Sequence, residues 1–134
     1  MDKEMRITFP GNKRVDAEYK GFTIQTDQPV HQGGDGSAPA PFDLFLFSLG
    51  TCAGFYLLSF CQSRGFTGDG ISVSLKTEIN TEIKRITKVI IEAHLPSDFP
   101  EKYTKAAIRA MEMCAVKKYL DSPFEMETLA TIKK

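Results

Sequence analysis

Residues 41–61 read PFDLFLFSLGTCAGFYLLSFC, and this run decides the fold because it is too long and too apolar for a surface helix. Asp43, Ser48, Thr51 and Ser59 interrupt it, and its flanks are polar, so we predict a buried central helix over residues 42–64 rather than a membrane span. A helix that is apolar nearly all round must be covered by a sheet on one side and by another element or a second subunit on the other. The run therefore also indicates a dimer.

Cys52 is the residue of this run that points to chemistry. Gly50, Thr51, Ala53 and Gly54 surround it, and small neighbours let a substrate or a second chain approach a thiol closely.

The two other cysteines differ in what they can do with Cys52. Cys61 lies nine positions further along, which on one helix is about 180° around the axis and roughly 13 Å along it. A disulfide needs Cα atoms within about 7 Å, so Cys61 is excluded and Cys114 is the remaining partner. We read Cys61 as a core residue.

Composition excludes several classes of function. The 134 residues carry 17 basic and 17 acidic side chains without a basic stripe, so neither nucleic acid nor an anionic membrane is an expected partner. The charged start of the chain is not a secretion signal, which predicts a cytoplasmic protein with reduced thiols. No spacing typical of a metal site is present, and no cofactor or metal is expected. We interpret His31 and His94 as surface histidines.

The remaining pattern predicts one α+β domain over residues 1–134. Strands are expected at 5–9 and 15–26, then a Gly- and Pro-rich loop into the long helix, and a hairpin of strands at 71–80 and 81–94. A helix opens near Ser97 and runs toward Cys114, a short helical piece follows to about Leu120, and residues 124–132 alternate as a last strand.

Two stretches carry a resemblance to a known family. Residues 37–52, SAPAPFDLFLFSLGTC, together with residues 113–120, MCAVKKYL, resemble the OsmC/Ohr family of cysteine-dependent peroxidases. The resemblance implies the OsmC-like fold, in which β-sheets pack around a long central helix, and an intertwined homodimer with active sites at the subunit interface. It also implies that Cys52 is the peroxidatic cysteine and Cys114 the resolving one. Cys114 would begin a helix beside Lys117 and Lys118, which would favour its thiolate.

The chain departs from the family pattern at two positions. Ohr-type members carry a glutamate ten residues before the first cysteine, pairing with an arginine that holds the thiolate, and here that residue is Phe42. Asp43 is the neighbouring candidate to orient the arginine, although one helical step turns a side chain by about 100°. Arg14 is the candidate thiolate and peroxide stabiliser, with Arg6 as its competitor. Ala115 stands where the family often has proline.

The resulting hypothesis is a thiol peroxidase that reduces organic hydroperoxides, and hydrogen peroxide less efficiently, with an external thiol or dithiol as reductant. Phe42, Phe45, Phe55 and Tyr56 are the candidates to line an apolar substrate pocket. One alternative is a redox-active thiol protein for sulfur transfer or disulfide exchange on the same scaffold. Another is a non-enzymatic dimer that binds an apolar ligand beside Cys52.

Overall fold

The computed structural model of the protein describes residues 4–133. Its chain contacts divide between Phe47 and Ser48 into two compact units, and the long helix continues from one into the other. The strands are β1 (Arg6–Gly11), β2 (Arg14–Tyr19), β3 (Phe22–Thr26), β4 (Ser72–Asn80) and β5 (Arg85–His94). The α-helices are α1 (Pro41–Gln62), α2 (Thr104–Met111) and α3 (Ala115–Asp121).

The N-terminal unit contains an antiparallel sheet in the order β1-β2-β3. The sequence prediction of one strand over residues 15–26 was wrong, because the chain reverses at Lys20 and Gly21 and pairs Tyr19 with Phe22. Both turn residues have positive φ, 53° and 81°, as a tight hairpin turn requires. Lysine in place of the usual asparagine or aspartate hid this turn from the sequence pattern.

Residues 27–40, which connect β3 to α1, are organised around the buried carboxylate of Asp27. Its Oδ1 accepts a hydrogen bond from the Gln28 N–H at 2.7 Å, and its Oδ2 accepts from the Ser37 N–H at 3.0 Å and the Ser37 hydroxyl at 2.6 Å. A Cβ on Gly34 would lie 2.0 Å from the Gln28 carbonyl oxygen, so only glycine fits there. This Gly- and Pro-rich segment is therefore a folded loop that leads the chain into α1.

The hydrophobic core lies in the C-terminal unit, on one face of α1. Ala53, Leu57 and Cys61 are at most 1% exposed, and they recur at the four-residue spacing of a single helix face. They pack with Ala107 and Met111 of α2. The helix ends where predicted, since Gly65 adopts a left-handed conformation and the Phe66 N–H bonds to the Cys61 carbonyl.

The hairpin of β4 and β5 supplies another side of this core. The two strands pair antiparallel from Ser72 with His94 to Asn80 with Arg85. Ile71 and Val73 contact the buried cluster, as the alternating pattern predicted. The hairpin itself was expected, but its loop covers residues 81–84, where the Asn80 side chain accepts hydrogen bonds from two loop N–H groups.

The last predicted strand is absent from the described residues. Residues 123–133 form neither helix nor strand, and their large apolar side chains are exposed, with Phe124 at 66%, Met126 at 84%, Leu129 at 79% and Ile132 at 88%. The alternation is present in the sequence, but a strand exists only where a neighbouring strand takes up its hydrogen bonds. No strand within the described chain pairs with this segment.

Among the described residues, α1 is the one helix long and apolar enough by length and composition to cross a membrane. Core helices of soluble proteins satisfy the same criterion, and 22% of the most apolar window of α1 is buried.

Candidate active site

Cys52 lies on α1, one residue before the buried Ala53, and its side chain is partly exposed. This position follows from the helix register, because Leu49, Ala53 and Leu57 recur on the buried face of α1 and Cys52 is rotated from Ala53 by about 100°. A Cβ on Gly54 would meet no atom within 4 Å, but Gly54 lies about 200° around the helix from Cys52, so this open space is not on the side of the thiol.

Cys114 lies between α2 and α3, and its thiol is in hydrogen-bond contact with that of Cys52. It is 2% exposed and occupies the N-cap position of α3, with φ −45° and ψ 125°. Both thiols are free. The structure thus brings together the two cysteines that the sequence paired and places them 62 positions apart in the chain.

The first turn of α3 supplies further contacts to the Cys52 sulfur. The N–H groups of Ala115 and Val116 donate hydrogen bonds to it. The first N–H groups of a helix have no acceptor within the helix, so these two are free to bind the sulfur.

The environment makes the two thiols chemically different. Burial raises the pKa of Cys52, but the hydrogen bonds from the Cys114 thiol and from the N–H groups of Val116 and Ala115 favour the thiolate and outweigh burial. The pKa of Cys52 therefore lies below its ordinary value. Burial raises the pKa of Cys114, and the hydrogen bond that its thiol donates to Cys52 raises it further. Together these effects outweigh the N–H of Lys117, which lowers the pKa. Of the two thiols, Cys52 therefore ionises more readily, and Cys114 donates to it.

This result corrects one expectation. The start of α3 was predicted to favour the thiolate of Cys114, but the pKa of Cys114 is raised and that of Cys52 is lowered. The main reason is burial, which together with the bond to Cys52 outweighs the N–H groups of Lys117 and Val116 that lower the pKa of Cys114. Lys117 acts on Cys114 through its main-chain N–H, while its ammonium pairs with Asp121 at 3.8 Å.

Cys61 is separate from this pair. It is fully buried in the core cluster, as the sequence analysis predicted, and burial raises the pKa of its thiol although Arg64 lies nearby. The two histidines lie elsewhere. His31 is exposed in a short 3-10 turn, and His94 bonds through Nε2 to the Ser74 hydroxyl at 2.9 Å.

Arg14 and Asp43 both belong to the N-terminal unit and are not joined to each other. The Arg14 guanidinium donates to the Gly11 carbonyl at 3.4 Å, and the Asp43 carboxylate accepts from the Ala40 N–H at 3.3 Å, where it caps α1. No ion pair connects them in the part of the chain that the structure describes. Their roles toward the thiolate, and that of Arg6, stay predictions.

The four aromatic residues predicted to line a pocket form two pairs on α1. The rings of Phe42 and Phe45 lie 5.6 Å apart in the N-terminal unit, and those of Phe55 and Tyr56 lie 5.3 Å apart in the C-terminal unit. Phe55 and Tyr56 follow Cys52 by three and four residues, so they share its side of the helix. Phe55 is 60% exposed, which leaves its ring available to a ligand or a second chain.

Sequence reasoning missed the main-chain groups of Ala115 and Val116. A signal for them existed, since both directly follow a cysteine at the predicted start of a short helix. The sequence analysis considered the side chains of Lys117 and Lys118 instead. Within residues 4–133 no cluster of three histidine, cysteine or carboxylate side chains could hold a metal.

Comparison with solved structures identifies the fold. A Psychrobacter arcticus 273-4 protein named for osmotic stress and detoxification is 23% identical, covers 88% of this chain and 87% of its own, and gives a TM-score of 0.73. An OsmC-like protein from Mycoplasma pneumoniae is 14% identical over 92% of this chain and 89% of its own, with a TM-score of 0.69. The organic hydroperoxide resistance protein OsmC of Legionella pneumophila is 14% identical over 91% and 90%, with a TM-score of 0.62.

Comparison at the level of sequence assigns the family. A search of curated proteins gives no significant match. The family of OsmC-like proteins, however, matches residues 34–128, a range that includes both Cys52 and Cys114 and most of the chain. The chain therefore belongs to the OsmC-like protein family, with the mixed helix and sheet fold that its structural neighbours share.

Proposed function

We propose that the protein is a cysteine-dependent thiol peroxidase that reduces organic hydroperoxides, and hydrogen peroxide less efficiently. The observation that carries the proposal is the contact between a partly exposed Cys52 with a lowered pKa and a buried Cys114 with a raised pKa. Membership of the OsmC-like family supports a redox role, and its structural neighbours include proteins named for organic hydroperoxide resistance.

The first step is attack of the Cys52 thiolate on the O–O bond of the hydroperoxide. The sulfur takes one oxygen and becomes a sulfenic acid, while the other oxygen takes a proton and leaves as an alcohol. The hydrogen bonds to the sulfur lower the pKa of Cys52 and so favour the thiolate, which is the form that attacks.

In the second step the Cys114 sulfur attacks the Cys52 sulfenic acid, a disulfide forms, and water leaves. The contact between the two thiols means that this step needs little chain movement. An external thiol or dithiol then reduces the disulfide and is itself oxidised. The burial of Cys114 protects it from direct oxidation and leaves Cys52 as the first site of reaction.

Apolar side chains on the Cys52 side of α1 support an organic rather than an inorganic substrate. Phe55 and Tyr56 form an edge-to-face pair within one helical turn of Cys52, and an alkyl or aryl group would gain free energy by covering them. Phe42 and Phe45 are also proposed to contact the substrate. Arg14 remains the proposed cation for the thiolate, oriented by Asp43.

A homodimer is part of the proposal, with residues 1–134 as one domain of each subunit. In the N-terminal unit no large hydrophobic side chain is buried in the described residues, and Ile7, Phe9, Phe22 and Ile24 of its sheet are 47–78% exposed. A three-stranded sheet needs a covered face to be stable. A second copy would cover it, and antioxidant defence in the cytoplasm is the setting that we propose.

Turnover tests the proposal. Hydroperoxide consumption with dithiothreitol as reductant should be lost in Cys52→Ser and retained in Cys61→Ser, which is the matched control because Cys61 lies in the core. Equal turnover in wild type and Cys52→Ser would overturn the proposal.

Disulfide exchange is the second candidate, because a partly exposed thiolate beside a buried thiol also suits attack on a protein disulfide. Rapid reduction of a model disulfide by a protein without hydroperoxide turnover would favour it.

A further inference from the structure

A cavity of about 170 Å³ lies in the N-terminal unit, where the loop before α1 meets β2 and β3. Arg14 and Asp16 both line it, and because they are two residues apart on β2 they lie on the same face of the sheet. Gln25 of β3 pairs with Asp16 and shares this face. The lining also includes Ser37 and Ala38 of the loop. The cavity therefore presents a cation and an anion together.

Neither of these charges is neutralised inside the described protein. Within residues 4–133 the Arg14 side chain donates one hydrogen bond, from Nε to the Gly11 carbonyl at 3.4 Å, and the Asp16 carboxylate has no partner. The two side chains form no ion pair with each other or with another side chain of that range. Asp16 is half-buried, and a carboxylate partly removed from water favours a partner of opposite charge. Both groups are therefore available to a ligand.

Two hydroxyl groups of the lining can act toward a ligand only as acceptors. The Thr26 hydroxyl donates to the Val15 carbonyl at 2.6 Å, and the Ser37 hydroxyl donates to Oδ2 of Asp27 at 2.6 Å. A hydroxyl has one hydrogen and two lone pairs, so each oxygen keeps acceptor capacity and no donor. With the Asp16 carboxylate they supply three acceptors, and an ammonium group has three donors.

The loop side of the cavity is fixed before any ligand arrives. The Asp27 side chain is 0% exposed and also accepts from the Ser37 N–H at 3.0 Å, and the Asp27 N–H bonds to the Pro39 carbonyl at 3.1 Å. Ordering of a loop is one of the costs of binding. That cost is small at a site whose wall is already held by a buried carboxylate.

We propose that this cavity binds the head group of an α-amino acid, in which one carboxylate and one ammonium are both free. The carboxylate pairs with the Arg14 guanidinium, whose planar donors match carboxylate geometry. The ammonium donates to the Asp16 carboxylate and to the hydroxyl oxygens of Ser37 and Thr26. The volume corresponds to about six water molecules, at about 30 Å³ each, so it admits the head group and little more.

The inference goes beyond the proposed peroxidase and is independent of the role proposed there for Arg14. The same head group occurs in free amino acids and at the γ-glutamyl end of glutathione. L-Serine represents the first source. S-Methylglutathione represents the second and has no thiol that could react with the cysteines.

Nuclear magnetic resonance titration of the isotope-labelled full chain measures binding of both probes. At least one of them should displace the main-chain amide signals of Asp16, Gln25 and Ser37 saturably, with a Kd on the order of 1 mM. Acetate and methylammonium each carry one of the two charges and should bind at least roughly 10-fold more weakly, because each leaves one charged side chain of the cavity without its hydrogen bonds. Which of the two probes binds identifies the source of the head group.

A matched pair of variants tests the part played by Asp16. Asp16→Asn removes the charge with little change of shape and should weaken the bound probe at least roughly 10-fold while acetate binding is kept. Glu18→Gln is the control, because Glu18 is the next carboxylate on the same face of β2 and does not line the cavity. It should bind the probe as the wild type does.

The absence of saturable binding for both probes would overturn the inference. So would equal affinity for acetate and the bound probe, since the site would then recognise a carboxylate alone, and so would an unchanged Kd in Asp16→Asn. The comparison with acetate and methylammonium uses only wild-type protein and stays decisive if a variant does not fold. Hydroperoxide turnover by a protein that binds neither probe refutes this inference and leaves the peroxidase standing.

Discussion

The three thiols should react with iodoacetamide at very different rates, and the structure sets their order. Cys52 is partly exposed and its pKa is lowered, whereas Cys61 is fully buried and its pKa is raised. Alkylation requires a thiolate that the reagent can reach. In reduced wild-type protein at neutral pH, Cys52 should be modified first and Cys61 last.

The size of the difference follows from the packing around Cys61. The reagent reaches this sulfur only when the core cluster opens, which returns at least Leu57 and Met111 to water. Each such side chain contributes about 1.5–3 kcal/mol when buried, so opening costs at least about 3 kcal/mol. Since 1.36 kcal/mol is a factor of ten, modification of Cys61 should be at least roughly 100-fold slower than that of Cys52. The lowered pKa of Cys52 and the raised pKa of Cys61 increase this difference in rate further.

Timed quenching followed by peptide mass spectrometry gives the three rates in one experiment. The Cys61→Ser variant is the control and should leave the rate at Cys52 unchanged. Comparable rates at Cys52 and Cys61 in folded protein would refute the assignment of helix faces on which the site depends.

Three further outcomes are expected. Leu57→Ala should lower the free energy of unfolding by about 2.7–5 kcal/mol in urea titrations, because Leu57 is 1% exposed in the core; a loss below about 1 kcal/mol contradicts the packing described. The Ser37 hydroxyl and N–H hold the pKa of Asp27 at about 2, below its ordinary 3.8, so the stability it contributes is present above about pH 4 and lost toward pH 2. Acid titration of Asp27→Asn should lack that part of the loss, and an unchanged acid profile contradicts it. Sedimentation equilibrium should give twice the chain mass of 14.9 kDa, and a monomer at micromolar concentration contradicts the proposed dimer.

Most of the secondary structure was predictable because the patterns that specify it are local. The long helix ends near Gly65 as expected, and the alternation from Ile71 through Val73 marked the strand face that meets the core. The turn at Lys20 and Gly21 was missed because lysine seldom adopts a positive φ.

The features that could not be predicted depend on contacts between residues that are far apart in the sequence. The alternation in residues 124–132 predicted a strand, but pairing depends on a neighbour that local sequence does not specify. The pairing of Cys52 with Cys114 was predicted because spacing excluded Cys61. Which thiol has the lowered pKa was only partly predictable, since it depends on the burial of each sulfur and on the hydrogen bonds that reach it, and local sequence specifies neither.

The most direct test of the account is oxidation of the reduced protein by one equivalent of cumene hydroperoxide, followed by peptide mapping. The two-cysteine mechanism predicts rapid loss of two hydrogens in a single product that joins the Cys52 and Cys114 peptides, and a sulfenic acid at Cys52 when Cys114→Ser is used. Slow oxidation spread over all three cysteines, or a linked product that contains Cys61, would contradict it.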